Sequence, residues 1–221
     1  RTSGRVVALC NSGWLLDREG FCLYADQPPE EAHRVTELAD DGTVVTGTPI
    51  APWGQALPEI TARLPRREWE RVLGPGDFAP GVHIPSGGGM TLLAAADSLR
   101  RAEAFYRQYL PAQPVKAFVC ASWIFNTQLE EVLPESNLSV FMRQLYLTPW
   151  RSSGRDGLFF IFGREDGDRS QYPRDTSIRR ALLQILDSGR RLRVGGMVLL
   201  PGHLPHLGEE YYRRQWSPPP V

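Results

Sequence analysis

Val82–Thr91 reads VHIPSGGGMT. Alternation along a short strand, Gly81–Pro85, puts Val82 and Ile84 on one face and His83 on the other. The strand ends in Ser86-Gly87-Gly88-Gly89 and leads through Met90 into a helix that opens at Thr91. Glycines let the backbone take positive φ and approach a ligand closely. Successive N–H groups can then converge on an anion, and the helix start adds unpaired N–H groups and the positive end of its dipole. The stretch therefore predicts a strand, an anion-binding loop and a helix, a cradle that holds a pyrophosphate without a lysine. The alternative is a flexible turn. His83 lies just before this loop, where an imidazole can take a proton from an amine near neutral pH. The competing role is that of a half-buried, hydrogen-bonded histidine.

Downstream, Leu92, Ala95, Ala96, Leu99, Ala102, Phe105, Tyr106 and Tyr109 recur at helical spacing, so Thr91–Leu110 is read as a helix closed by Pro111 and Pro114. Val115–Phe125 is a strongly apolar strand, and Gln128–Val132 and Asn137–Met142 are short helical segments. Arg143–Thr148 and Gly157–Gly163 read as two strands around the loop Pro149–Asp156. Pro173–Gly189 is a helix capped by Asp175 or Thr176, with Arg179 and Arg180 toward solvent and Gly189 as its stop. Gly195–Leu200 is the last strand. Upstream, Arg5–Asp17 and Phe21–Asp26 form one hairpin, and Val35–Leu38 and Thr43–Thr48 form a second around Asp40-Asp41-Gly42. Arg66–Leu73 has a helical pattern. The order predicts an α/β (α+β) chain, a mixed and partly antiparallel sheet flanked by helices.

Composition narrows the function. The chain has 221 residues, 42% of them hydrophobic, enough for one sizeable domain. Its 25 basic residues balance 25 acidic ones, which argues against a nucleic-acid partner. No apolar run reaches the roughly 18–20 residues that span a bilayer. Cys10, Cys22 and Cys120 fit neither a disulfide framework nor a zinc pattern and suit a reducing cytoplasm. The start at Arg1, close to a strand, reads as the C-terminal portion of a longer protein. His203 and His206, three residues apart in a Pro-rich exit after the last strand, are not expected to form a metal site. Cys120 and Ser122 lie on the apolar strand without a local base; Cys120 reads as core. Arg151–Asp156 is either a phosphate-binding loop or a solvated turn. Asn126 either hydrogen-bonds an amide-bearing ligand or caps a helix. Trp123 and Phe125 read as core or pocket wall.

In combination, HIPSGGGMT (83–91), FVCASWIFNTQLEEVLPESNL (118–138), YLTPWRSSGRDGLFFIFGRED (146–166), PRDTSIRRALL (173–183) and GGMVLLPGHL (195–204) resemble the GNAT-like C-terminal domain of actinobacterial N-acyltransferases, above all those that acylate an aminosugar in glycopeptide-antibiotic biosynthesis. The resemblance implies a GNAT-like domain over 41–216, after a β-hairpin region, 1–40, that ends a preceding domain, and before a loose tail, 217–221. It implies acyl-CoA as co-substrate rather than a permanently bound cofactor, and an amine-bearing small molecule, such as an aminosugar of a natural product, as acceptor of a long-chain or shorter acyl group. Ser86, Gly87, Gly88, Gly89, Met90 and Thr91, with Ile84 before them, would hold the pyrophosphate, and Ser122 and Asn126 the arm that passes between Gly81–Pro85 and Val115–Phe125. His83 resembles the general base of the glycopeptide relatives. Tyr146, or Tyr106, would be the acid, and Trp53 and Trp123 would line the acyl or acceptor channel. The usual loop signature, Gln/Arg-x-x-Gly-x-Gly/Ala, is met at Gly87 and Gly89, but Ile84 stands at the Gln/Arg position, so main-chain donors must supply most pyrophosphate contacts. Relatives also carry an N-terminal domain. Two other functions remain: a non-catalytic module that binds acyl-CoA or a phosphorylated ligand, and a phosphate-ligand hydrolase using Ser86, which lacks a local triad.

Overall fold

The computed structural model describes residues 4–85 and 89–221. Short strands dominate the first third: β1 (Ala8–Leu9), β2 (Leu15–Leu16), β3 (Arg34–Val35), β4 (Leu38–Asp40), β5 (Val44–Gly47), β6 (Pro49–Ala51), β7 (Gln55–Ala56) and β8 (Ala62–Pro65). There follow α1 (Leu92–Tyr109), β9 (Phe118–Ser122), α2 (Gln128–Val132), α3 (Asn137–Met142), β10 (Tyr146–Trp150), α4 (Leu158–Phe162), α5 (Ser177–Asp187), β11 (Val194–Leu199) and α6 (Tyr211–Arg214). The class is the mixed one expected, with helices on a partly antiparallel sheet.

Several elements differ from the sequence reading. The first hairpin forms only next to its turn, where Leu16 bridges Cys22 antiparallel and Leu23 N–H donates to Leu15 O, while β1 pairs with β6 and β2 with β3. Its turn survives, because Asp17 Oδ1 accepts from the N–H groups of Glu19 and Phe21. Arg66–Leu73 forms no helix; Glu68 and Trp69 N–H close a turn on Pro65 O, after β8 has paired with β5. The expected strand Gly157–Gly163 is the short helix α4, because glycines at both ends (φ 93° and 72°) let the chain enter and leave one helical turn. Arg179 does not simply face solvent: its guanidinium donates to Ile161 O and pairs with Asp175, tying α5 to α4. Residues 217–221, expected to be loose, are held by Arg5, which donates to Ser217 O and Pro218 O, and by Arg63 N–H on Pro220 O.

The sheet that positions the site runs β10-β11-β9, all antiparallel. It is extended on both edges by single parallel bridges, Gly81 to Val119 of β9 and Trp53 to Leu147 of β10. Register fixes its two faces, since residues directly opposite one another share a face. Phe118, Cys120, Met197, Leu199 and Leu147 point one way, with Val82 and Ile84 beside them. Leu147 and Leu199 are fully buried there, joined by Phe125, Leu129, Leu183 and Ile185 from the helical side. Burying such a side chain stabilises by about 1.5–3 kcal/mol, so this closed face is the core. Gly81, His83, Val119, Ala121, Gly196, Val198, Tyr146, Thr148 and Trp150 point the other way. N-terminal residues cover that face at both ends of β10, Ala8 and Ile50 at Tyr146 and Trp14 at Trp150.

Candidate active site on the open sheet face

Between Phe78 and Val82 the chain runs as a partner of β9. Lys116 N–H donates to Phe78 O (2.9 Å), Val119 N–H to Pro80 O (3.2 Å) and Val82 N–H to Val119 O (2.8 Å). Gly81–Pro85 is thus a single bridge rather than the expected strand. Beyond Val82 no backbone hydrogen bond joins it to β9 among the described residues. Val119 gives its N–H and C=O to this edge, so Ala121, two residues on, aims its own at the same edge. Ala121 is exposed, and neither group has a partner among the described residues. A splay with one unpaired peptide edge is the result.

His83 stands at this splay. It is exposed, while Val82 and Ile84 pack toward the core, as alternation requires. Since Gly81 bridges Val119, His83 falls level with Ala121. The pairs Ala121–Gly196 and Gly196–Thr148 continue the line across β11 and β10. The row His83, Ala121, Gly196, Thr148 therefore shares one face, with a basic nitrogen at one end and Gly196 buried against the Thr148 and Trp150 side chains.

Ser86, Gly87 and Gly88 lie outside the described residues. Of the rest of the loop, Gly89 has φ 52° and its carbonyl accepts from Thr91 N–H. Thr91 is the N-cap of α1, its Oγ1 accepting from Ala94 N–H (3.3 Å). Met90 and Ile84 are half-buried against the core, so only their main chain faces the loop.

The other sequence candidates separate. Tyr146 does not fit a general acid: it is 1% exposed, donates to Ile50 O (2.5 Å), accepts from Ala8 N–H (3.1 Å), and burial pushes it up to about 12. It ties β10 to the N-terminal strands. Asn126 is buried and its Oδ1 accepts from Gln128 N–H, so it caps α2 rather than meeting a ligand. Ser122 is on the closed face and caps the 3-10 turn Trp123–Phe125. Trp53 sits on the opposite sheet edge, level with Leu147 and therefore on the closed-face side, against Trp216 (4.9 Å). Trp123 follows the end of β9 and lies parallel to Phe160 (6.3 Å). The two tryptophans thus do not share a channel wall. Tyr106 packs on Phe78. Arg151–Asp156 is not open to phosphate, because Asp156 Oδ2 already accepts from the Ser153 and Gly154 N–H groups and from both serine hydroxyls. His203 and His206 pack on Tyr211. Burial and His206 lower the His203 pKa.

Sequence reasoning missed Ala121, Gly196, Thr148 and Trp150. Their common face depends on the register of three strands, and each looks like ordinary strand composition. The one available hint was Gly195-Gly196 inside a strand, which signals a close approach: Gly195 lies against Phe125 O on the closed face and Gly196 against Thr148 Oγ1 on the open one.

The model of the GNAT-like C-terminal domain family matches residues 29–199. No curated protein matches the sequence. Among solved structures, one similar chain is an acyltransferase in complex with CoA and 10C-teicoplanin, at TM-score 0.51 and 21% identity over 74% of this chain and 46% of that one. Another is an acyltransferase in complex with decanoyl-CoA, at TM-score 0.50 and 22% identity over 74% and 46%. The present chain thus spans about half the length of the structures it matches. At this identity the likeness is one of fold. With its match to the family model over most of its length, the chain belongs to the GNAT-like C-terminal domain family.

Proposed function

We propose that the chain carries the catalytic face of an acyl-CoA-dependent N-acyltransferase acting on a primary amine. The observation that carries this reading is the exposed His83 level with the unpaired peptide edge of Ala121. An amide-bearing arm can pair with Ala121 as a strand would, with its pyrophosphate at the loop and helix start capped by Thr91. Its thioester then lies beside His83. His83, directly or through a water, accepts a proton from the attacking ammonium. The amine nitrogen bonds to the thioester carbon, the C–S bond breaks, and the CoA thiolate leaves and takes up the second proton that the nitrogen gives up on becoming an amide. The oxyanion is stabilised by a main-chain N–H in the splay. The matched structures hold CoA, decanoyl-CoA and 10C-teicoplanin, which supports a medium or long acyl group and an aminosugar of an antibiotic-type acceptor. We place the reaction in the cytoplasm of an actinobacterium; no described helix is long and apolar enough to cross a membrane. We assign 41–216 to the transferase domain, with described residues of the preceding region lying against Tyr146 and Trp150.

His83→Ala should lower turnover about 100-fold or more, with CoA affinity unchanged within twofold. Thiol release and calorimetry measure the two. Equal turnover would remove His83 from the chemistry. The chain's half-length coverage of its structural relatives keeps a second reading open, a binding module without chemistry. CoA binding with no thiol release from any acyl-CoA and amine would select it.

A further inference from the structure

A cavity of about 320 Å³ opens at the carboxyl end of β10, walled by Trp14, Trp150, Leu23, Cys22 and Tyr24, with Arg151 at its lining. Trp14 and Trp150 stand edge to face at 6.2 Å, and Trp150 is 47% exposed. Its volume is in the range that holds a small ligand. Among the described side chains of the lining, the nitrogen groups with donors to spare are the two indoles and Arg151. Gln27 is engaged by Tyr24 N–H and Glu31, and Tyr24 donates to Arg191 O. The two indole N–H groups have no acceptor among the described residues. Arg151 reaches only Ala25 O, at 3.3 Å, and no carboxylate among the described residues pairs with it. Apolar aromatic walls with unspent donors favour an aromatic ring that carries a negative charge.

The cavity is not isolated. Trp150 shares the open face with Thr148 and Ala121, and its ring lies 3.6 Å from where a Cβ on Gly196 would stand. From His83 across β9 and β11 to Trp150 on β10 is three strand spacings, about 14 Å. We infer that this cavity is an acceptor subsite that takes an aromatic ring bearing a carboxylate, the ring against Trp14 and Trp150 and the carboxylate on Arg151, in a molecule whose amine lies about 14 Å or more away. The word acceptor rests on the acyltransferase reading; the chemistry of the cavity does not.

Equilibrium binding without any acyl donor tests it, with 2-naphthylacetate and its neutral amide as probes, followed by tryptophan fluorescence and calorimetry. The carboxylate should bind about tenfold more tightly than the amide. Arg151→Gln should bring the carboxylate down to the amide's affinity, and Arg151→Glu should reverse the preference. Trp150→Ala should weaken both probes at least severalfold, and His83→Ala should change neither. Equal affinity of the two probes for the native chain, or unchanged selectivity in Arg151→Gln, overturns the inference and leaves the transferase reading untouched. Intact probe selectivity without thiol release would sink the transferase reading alone.

Discussion

The two faces of one sheet are built from the same three strands, yet they are chemically opposite. On the closed face, Phe118, Met197, Leu199 and Leu147 are buried against helices. On the other, alternate residues of those strands are Ala121, Gly196 and Thr148, with His83 alongside. The second face carries bulk, Tyr146 and Trp150, where N-terminal residues pack on it, and small residues, Ala121 and Gly196, in the row beside His83. Adjacent positions in β11 therefore serve stability and access separately, which two-residue periodicity makes possible.

The neighbouring glycines provide the strongest way to break this contrast. A Cβ on Gly195 would lie 2.1 Å from Phe125 O, a backbone atom held by the turn after β9. Gly195→Ala should cost about 3 kcal/mol, read as a lower urea midpoint. A Cβ on Gly196 would instead meet the end of the Thr148 side chain at 2.4 Å. Thr148 can rotate, so Gly196→Ala should cost about 1 kcal/mol or less in the same titration while raising the acceptor KM. Equal destabilisation by both would erase the distinction between the faces. Thr91→Ala removes the cap that starts α1 and should cost about 0.5–1 kcal/mol, seen in helix melting.

The smallest effect lies off the sheet, in the β4–β5 hairpin, and acts as a control. Asp41 accepts from the Thr43 hydroxyl and the N–H groups of Val44 and Thr43, which lowers its pKa from 3.8 to about 2. A depressed carboxyl contributes stability above its unfolded pKa and loses it as pH falls through the folded one. The Thr43 and Val44 amide resonances should accordingly titrate with a midpoint near pH 2, with the open and closed faces unaffected. A midpoint near 4 would mean the turn bonds are not formed in solution.

Much of the helical part of the fold was legible in sequence. Gln128–Val132 and Asn137–Met142 were read at their observed limits, and α1 and α5 within a few residues, because caps and 3.6-residue periodicity are local signals. The strands were read less well. β9 is five residues where eleven were expected, and Leu158–Phe162 is helical, because an apolar run does not specify its own period and its flanking glycines decided the conformation. At the site, alternation alone placed His83 opposite Val82 and Ile84. Tyr146, Asn126 and Trp53 do not stand beside His83, and sequence could not show it: burial and strand order are long-range properties, and a tyrosine that ties two sheets together looks like any other in sequence.

The open peptide edge at Ala121 has a thermodynamic consequence. A sheet that stops one strand short is an incomplete folding unit, and a ligand that supplies the missing amides becomes part of that unit. Melting temperature then reports occupancy, rising with ligand concentration as RT ln(1 + [L]/Kd). Strands on either side of the gap would exchange their amide hydrogens more slowly as it fills. If the proposed arm pairs there, the last strand of the sheet is delivered from solution, and the protein's stability can be used to find what delivers it.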